Sequence, residues 1–316
     1  MEKNRLVVIW DTSIHPLSFD IVTFFAICHL ISLSSGFSGK FYVLLLKRGF
    51  RKIGIEADYT EWHQDRKYRN IILQMLSLCK WVEGYQICED NKPLIRAGDI
   101  IFPSPERRRE MKNAPEWCIT PMTAIQIEQL YEKGLTISSR GFQSPSDLRN
   151  YYKNKFGEDS LLLQLRQSIH TDVRNFPIES FSTFVDYFVK KGKKVFFIPD
   201  VENPTGQDIF LKFGAEKLIA PSYDYEHRLA CAEATKLNVI WIGGVVAPLQ
   251  FSEARFVSFG LINKDSNICT EEYFSRKGPT VGEQPPWFNE GKYYDWRPSD
   301  EVDAHYLIET VSRKFE

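Results

Sequence analysis

Apolar runs of five or six residues alternate with longer helix-like stretches along this chain, and the alternation stops once and begins again. Few folds are compatible with that pattern. RLVVIW (Arg5–Trp10) is followed by FDIVTFFAICHLISL (Phe19–Leu33) and then FYVLLL (Phe41–Leu46). Continuous apolar strands of this kind are buried on both faces, and strands that alternate with helices form a parallel sheet. A helix is expected over Arg66–Val82, then short strands near YQIC and DIIF, the second ending in the PSP of 103–105. Another helix should follow, with Thr120 as N-cap, Pro121 at its first position and Gly134 at its stop. Gly141 and the Ser144–Pro145 pair punctuate the stretch from Leu135 to Gly157, so a domain boundary is expected there, dividing the chain into 1–150 and 151–316. From Ser160 the rhythm returns: strand LLLQL, helix FPIESFSTFVDYFVKK, strand KVFFIPD, a short helix near Ile209, strand KLIA, helix YDYEHRLACAEATKLN, strand VIWIGG, a helix, and strand RFVSFG. A terminal helix is expected over Ser299–Phe315, with Ser299 as N-cap and Lys314 near its end. The expected fold is α/β, two Rossmann-like domains facing each other across a cleft.

Charge narrows the partners. Forty basic residues nearly cancel forty-one acidic ones among 316, so no global field draws nucleic acid to the molecule, and any cationic site must be local. Cysteines 28, 79, 88, 118, 231 and 269 form no C-x-x-C pair and have no histidine at ligand spacing, which signals neither zinc nor a disulfide framework. A reducing cytoplasm is the simple reading. Asp20, Thr23 and His29 interrupt the apolar stretch Phe19–Leu33, which is too short to cross a bilayer and reads as a core helix. Peripheral contact with the inner membrane face stays open.

Ligands of parallel α/β sheets bind outside the carboxyl ends of the strands. Asp11, Thr12, Ser13 and His15 follow the first strand. Arg166, His170, Asp172, Arg174 and Asn175 follow the first strand of the second half. Asp200 and Glu202, and then Gly243 and Gly244, follow later strands. Asp11 and Asp200 serve equally well as turn caps, Asp20 is most simply a first-turn dipole partner, and the glycine pair lacks the full G-x-G-x-x-G spacing. ERRRE at 106–110 reads as a solvated surface turn before it reads as a phosphate clamp. The block from Arg166 to Asn175 is harder to explain structurally, because a guanidinium at a strand end needs an acid or a phosphate. Arg228 adds a third such cation. Ion pairing with Asp172 or Asp200 is the structural alternative.

The series L-x-L-R, R-N, V-F-F-I-P-D, E-H-R-L-A-C-A-E-A, a Gly pair and F-S-E-A-R-F-V-S-F, closing with VGEQPPWFNEGKYYDW, resembles the C-terminal half of bacterial surface-polysaccharide glycosyltransferase-like proteins of GT-B fold. The pattern is more distantly similar to heptosyltransferases and O-fucosyltransferases. It spans roughly Leu161–Asp300, with Ile242-Gly243-Gly244 where relatives carry Asn-Gly-Pro or Gly-Gly-Pro. The resemblance implies transfer of a sugar from a nucleotide-activated donor to a glycan, lipid-linked or surface-polysaccharide acceptor, as in lipopolysaccharide assembly. It also implies a terminal helix that returns toward the first domain. The second domain would hold the donor and the first the acceptor. Arg166 and Arg174 would neutralise the diphosphate, with Asn175 and the helix N-terminus at Phe176–Ile178 adding donors; Arg228, Gly243 and Gly244 would line the same site, and Asp200 and Glu226 would meet the nucleoside. Asp11 or His15 would be the base. No D-x-D triplet occurs, so no metal and no cofactor beyond the nucleotide-sugar co-substrate is expected. A nucleotide-sugar epimerase or hydrolase of the same fold, or a non-catalytic carbohydrate-binding protein, are the alternatives.

Overall fold

The computed structural model describes residues 4–52, 58–89, 93–113, 124–138, 140–168 and 172–315. The chain forms two compact units, Met1–Gly141 and Phe142–Glu316.

In the first unit four parallel strands, β1 (Leu6–Asp11), β2 (Phe41–Leu46), β3 (Val82–Cys88) and β4 (Ile100–Phe102), lie in the order β3-β2-β1-β4. The order reverses between β1 and β4, so the switch point of this sheet lies at the end of β1. Every residue of β1 is buried. Helix α1 (Asp20–Ser34) is apolar nearly all round, as the sequence pattern expects of a core helix. Its Phe24 meets Trp10 and Phe102, and its Phe25 meets Phe41.

The helix expected over Arg66–Val82 begins earlier and ends earlier. Thr60 accepts the His63 amide and opens α2 (Glu61–Lys67), a π-helical stretch covers Tyr68–Leu73, and α3 (Gln74–Leu78) closes it; Val82 already belongs to β3. ERRRE lies in a helix, α4 (Pro105–Asn113), and not in a turn. Arg107 and Arg109 pair along its exposed side with Glu110 and Glu106. The expected cap at Thr120 and Pro121 lies outside the described residues; α5 (Ala124–Glu132) follows, and Gly134 ends the segment at φ 81°.

The second unit opens with α6 (Ser146–Phe156), through which the boundary expected after residue 150 would pass. Its Tyr152 and Phe156 pack in this unit's core, which is why the helix belongs here. Six parallel strands, β5 (Ser160–Gln164), β6 (Lys194–Ile198), β7 (Glu216–Lys217), β8 (Leu237–Trp241), β9 (Phe256–Phe259) and β10 (Lys292–Tyr294), take the order β10-β9-β8-β5-β6-β7. The order reverses between β5 and β8.

Alternate side chains of the central strands go to opposite cores. Leu161, Leu163, Val195 and Phe197 join α7 (Ile178–Lys190) on one face, while Leu162, Phe196 and Ile198 join α6 and α9 (Tyr225–Ala234) on the other. Helix α7 buries Phe181, Phe184, Val185 and Phe188, each worth ~1.5–3 kcal/mol. The helix expected from Tyr223 begins at Tyr225 as α9, because the Asp224 carboxylate accepts the amides of Glu226 and His227 and starts it there; a separate turn, α8 (Ala220–Tyr223), precedes it. Short helices α10 (Val246–Gln250) and α11 (Glu271–Lys277) precede the terminal α12 (Ala304–Phe315).

Ser299 does not cap α12. It lies in a separate 3-10 turn, Ser299–Glu301, and Asp303 caps the helix by accepting the Tyr306 amide. The apolar side of α12, Leu307, Val311 and Phe315, packs in the second unit's core. No helix among the described residues is long and apolar enough to cross a membrane.

Candidate functional site: two clusters at strand ends

The chain after β5 is pinned from three directions. The Gln207 side chain donates to the Leu165 carbonyl (2.9 Å), the Gln167 amide donates to Asp200 Oδ2 (3.1 Å), and Asn175 holds both backbone groups of Ser168 (2.8 and 2.9 Å). Asn175 is therefore a loop clamp, with one of its two amide hydrogens already given to the Ser168 carbonyl. Asp200 also accepts the Glu202 amide at Oδ1 (3.0 Å), so each of its oxygens holds a loop amide, and it is the turn-fixing group of the two readings open in the sequence. The Phe176 amide, expected to face a ligand, donates to the Arg166 carbonyl at 3.2 Å.

On this fixed loop Arg166 stands beside the switch point. Burial lowers its pKa most, the neighbouring Arg174 guanidinium lowers it further, and Asp200 and Glu202 oppose them. Two arginines that repel each other at a strand end favour an anion between them. Arg228, on α9, donates Nε to the Pro221 carbonyl (2.9 Å) and also feels Asp200. Arg166, Arg174, Asp200, Glu202 and Arg228 thus form one electrostatic group.

Across the switch point β8 runs into Gly243 and Gly244. Neither has positive φ, and a Cβ at Gly243 would meet only the Trp241 carbonyl, at 3.8 Å. Neither backbone conformation nor packing demands glycine at 243, and the residue leaves the mouth of β8 open. Glu226 sits half-buried in the first turn of α9, with its amide held by Asp224. His170 lies outside the described residues, as does the side chain of Asp172, so its pairing with the arginines is outside them too.

A second cluster occupies the switch point of the first unit. Asp11 ends β1, and its Oδ1 accepts both the Ser13 amide (3.0 Å) and the Ser13 hydroxyl (2.6 Å); Oδ2 takes part in neither bond. His15 is fully buried, stacked on Trp10 with ring centroids 4.4 Å apart. The Asp11 backbone N–H lies 3.0 Å from its Nδ1 and the Asp11 carbonyl 3.1 Å from it. A backbone N–H is always a donor, so Nδ1 accepts and the ring proton sits on Nε2, which is buried without a hydrogen-bond partner. Desolvation lowers the His15 pKa to about 4, Arg51 and Arg108 add to that, and Asp11 opposes it. The ring is neutral near pH 7.

Sequence reasoning passed over Arg108. Half-buried on α4, it turns away from its solvated neighbours and feels both Asp11 and Arg48. Its signal was present in the run at 106–110, but which of the three arginines faces inward depends on where α4 docks. Among the described residues no group of His, Cys, Asp and Glu side chains is placed to hold a metal ion.

No protein-family model matches the sequence, and no curated protein does. Solved structures do. A glycosyl transferase family 9 structure from Veillonella parvula aligns over 100% of this chain and 98% of its own, at TM-score 0.59 and 11% identity. The fold is GT-B-like. ADP-heptose lipopolysaccharide heptosyltransferase II of E. coli aligns over 98% of both chains at TM-score 0.51 and 11% identity. At such identities the likeness is one of fold. The fold implied by the resemblance over Leu161–Asp300 and the observed GT-B-like architecture agree.

Proposed function

We propose that the protein is a glycosyltransferase that takes a nucleotide-activated sugar as donor and a glycan or lipid-linked glycan as acceptor. The observation that carries this reading is the Arg166–Arg174 pair at the switch point of the second sheet, on a loop held by Gln207, Asp200 and Asn175. Departure of a nucleoside diphosphate concentrates negative charge on its oxygens, and guanidiniums already in place stabilise that charge without reorganising. Arg166 and Arg174 supply this stabilisation, Arg228 supports it from α9, and Gly243 leaves room for the backbone at the end of β8 to approach the phosphates.

The acceptor hydroxyl loses a proton as it attacks the anomeric carbon. Of the two sequence candidates His15 has its proton on Nε2 and a pKa of about 4, so Asp11, through Oδ2, is the base. His15 holds the turn that presents it.

Calorimetric titration with UDP, GDP, CMP and ADP, followed by turnover with the matching sugar donors, tests the proposal. One nucleotide should bind, and Arg166→Ala or Arg174→Ala should weaken it roughly ten- to a hundredfold at an unchanged melting temperature, the loss of one charged hydrogen bond. Lysine at either position should restore only part, because it lacks the two-pronged geometry. Unchanged affinity in both alanine variants would refute the clamp, and a lowered melting temperature with intact affinity would make the arginines structural. In turnover Asp11→Asn should lose about 10²- to 10⁴-fold. If Asp11→Asn keeps its rate while Asp20→Asn loses it, the exposed carboxylate that opens α1 is the base instead.

A further inference from the structure

Exposed apolar side chains are ordinary when scattered singly, so a pair on one rigid turn beside a charged site carries more information. Ile219 is 50% exposed and Tyr223 is 49% exposed. They stand four residues apart, Ile219 as the N-cap that precedes α8 and already in helical conformation, Tyr223 as its last residue, and so share one side of a single turn. That turn follows the carboxyl end of β7, two strands from the β5–β8 switch point and at the same end of the sheet.

The turn is bolted to the arginine cluster. The Ser222 hydroxyl donates to the Pro199 carbonyl (3.0 Å), the residue before Asp200. Arg228 Nε donates to the Pro221 carbonyl, and the Asp224 amide closes on Ala220 (3.0 Å). Pro221 itself is buried. None of these bonds uses the Tyr223 side chain, so its ring stands on a scaffold that is ordered before any ligand arrives. Such a tyrosine gives apolar contact at little conformational cost.

We infer that Tyr223 and Ile219 form the ledge on which the nucleobase of the donor rests. This deepens the proposed function and depends on it. The chemistry selects the occupant: a phenol ring and a sec-butyl group offer one ring-sized apolar face, too small for a lipid chain or a protein helix, and the turn that carries them is hydrogen-bonded to Arg228 and to the residue before Asp200, in the cluster whose guanidiniums suit a diphosphate. A flat heteroaromatic base joined through ribose to that diphosphate satisfies both surfaces at once. Tyr223 is thus assigned as the stacking partner and Ile219 as the floor beside it.

The test separates base from phosphate. Wild type, Tyr223→Ala, Tyr223→Phe, Ile219→Ser and Arg166→Ala are titrated with UDP, GDP, CMP and ADP and with inorganic pyrophosphate. Tyr223→Ala should bind the preferred nucleotide about five- to a hundredfold more weakly, the cost of one lost stacking contact, and pyrophosphate as tightly as wild type. Tyr223→Phe should keep wild-type affinity, Ile219→Ser should fall between, and Arg166→Ala should weaken both ligands. Nucleotide affinity unchanged in Tyr223→Ala, or lost in equal proportion for nucleotide and pyrophosphate, overturns the ledge while leaving the arginine clamp standing. Failure of wild type to bind any of the four nucleotides removes both.

Discussion

Two residues of similar sequence standing, Asp11 and His15, separate once their surroundings are known. Both follow β1, and only tertiary structure shows that one ring nitrogen of His15 accepts a backbone proton while the other is sealed against solvent. The consequence is measurable. Above pH 6.5 folded and unfolded His15 are both neutral and the residue contributes no pH dependence. As pH falls from 6.5 towards 4 the unfolded chain takes up a proton that the folded chain refuses, so stability drops through that window and levels off below it. A displacement from 6.5 to about 4 corresponds to roughly 3 kcal/mol. His29 is lowered as well, by burial, and loses stability in the same direction. Denaturant unfolding of wild type and His15→Asn at pH 7, 5.5 and 4.5 isolates the His15 share: the difference between the two proteins should shift by about 2.4 kcal/mol between the extremes. A constant difference would mean that the folded ring takes up its proton at the same pH as the unfolded chain. The arginines were legible because a cation at a strand end is unusual in any context. The work of Asn175 was not, and the capping role open to Asp200 carried no partner, because the groups they hold, Ser168 and Gln167, come into reach only when the loop folds back.

At the scale of elements, periodicity located helices and strands well and their ends less well. The helix expected from Tyr223 starts two residues later because Asp224 caps α9, and Tyr223 instead ends the separate turn α8, where it is exposed. Strand β10 and helix α11 were hidden in aromatic and polar stretches, because an edge strand of three residues, Lys292–Tyr294, is too short to show a period. The start of α12 has the same origin: Ser299 and Asp303 are both good caps by type, and the helix uses the second. Asp303→Ala should therefore cost about 1 kcal/mol of unfolding free energy, while Ser299→Ala should cost a few tenths. Equal effects in denaturant melts, or a larger one at Ser299, would place the helix start four residues earlier.

At the scale of the whole molecule the two-unit α/β architecture was readable because the strand–helix alternation restarts at Ser160, and each unit's switch point then fell where charged residues cluster: Asp11 with His15 and Arg108 in one, Arg166 with Arg174 and Arg228 in the other. The division of charge has a consequence for the chemistry. A diphosphate leaving group needs about two positive charges beside it, and transferases meet that need with a divalent cation or with fixed side chains. In the proposed site the second unit supplies three guanidiniums against the carboxylates of Asp200 and Glu202, and Asp200 already gives both oxygens to backbone amides. An acid engaged in that way is a poor ligand for an added cation, and the arginines would repel one. Turnover of the donor should accordingly keep most of its rate in excess EDTA, and added Mg²⁺ or Mn²⁺ should change it less than twofold, whereas Arg166→Ala should remain impaired whatever cation is supplied. Loss of activity on chelation with recovery on adding Mg²⁺ would show that a metal shares the work assigned here to Arg166 and Arg174, and a metal-rescued Arg166→Ala would locate it at that position.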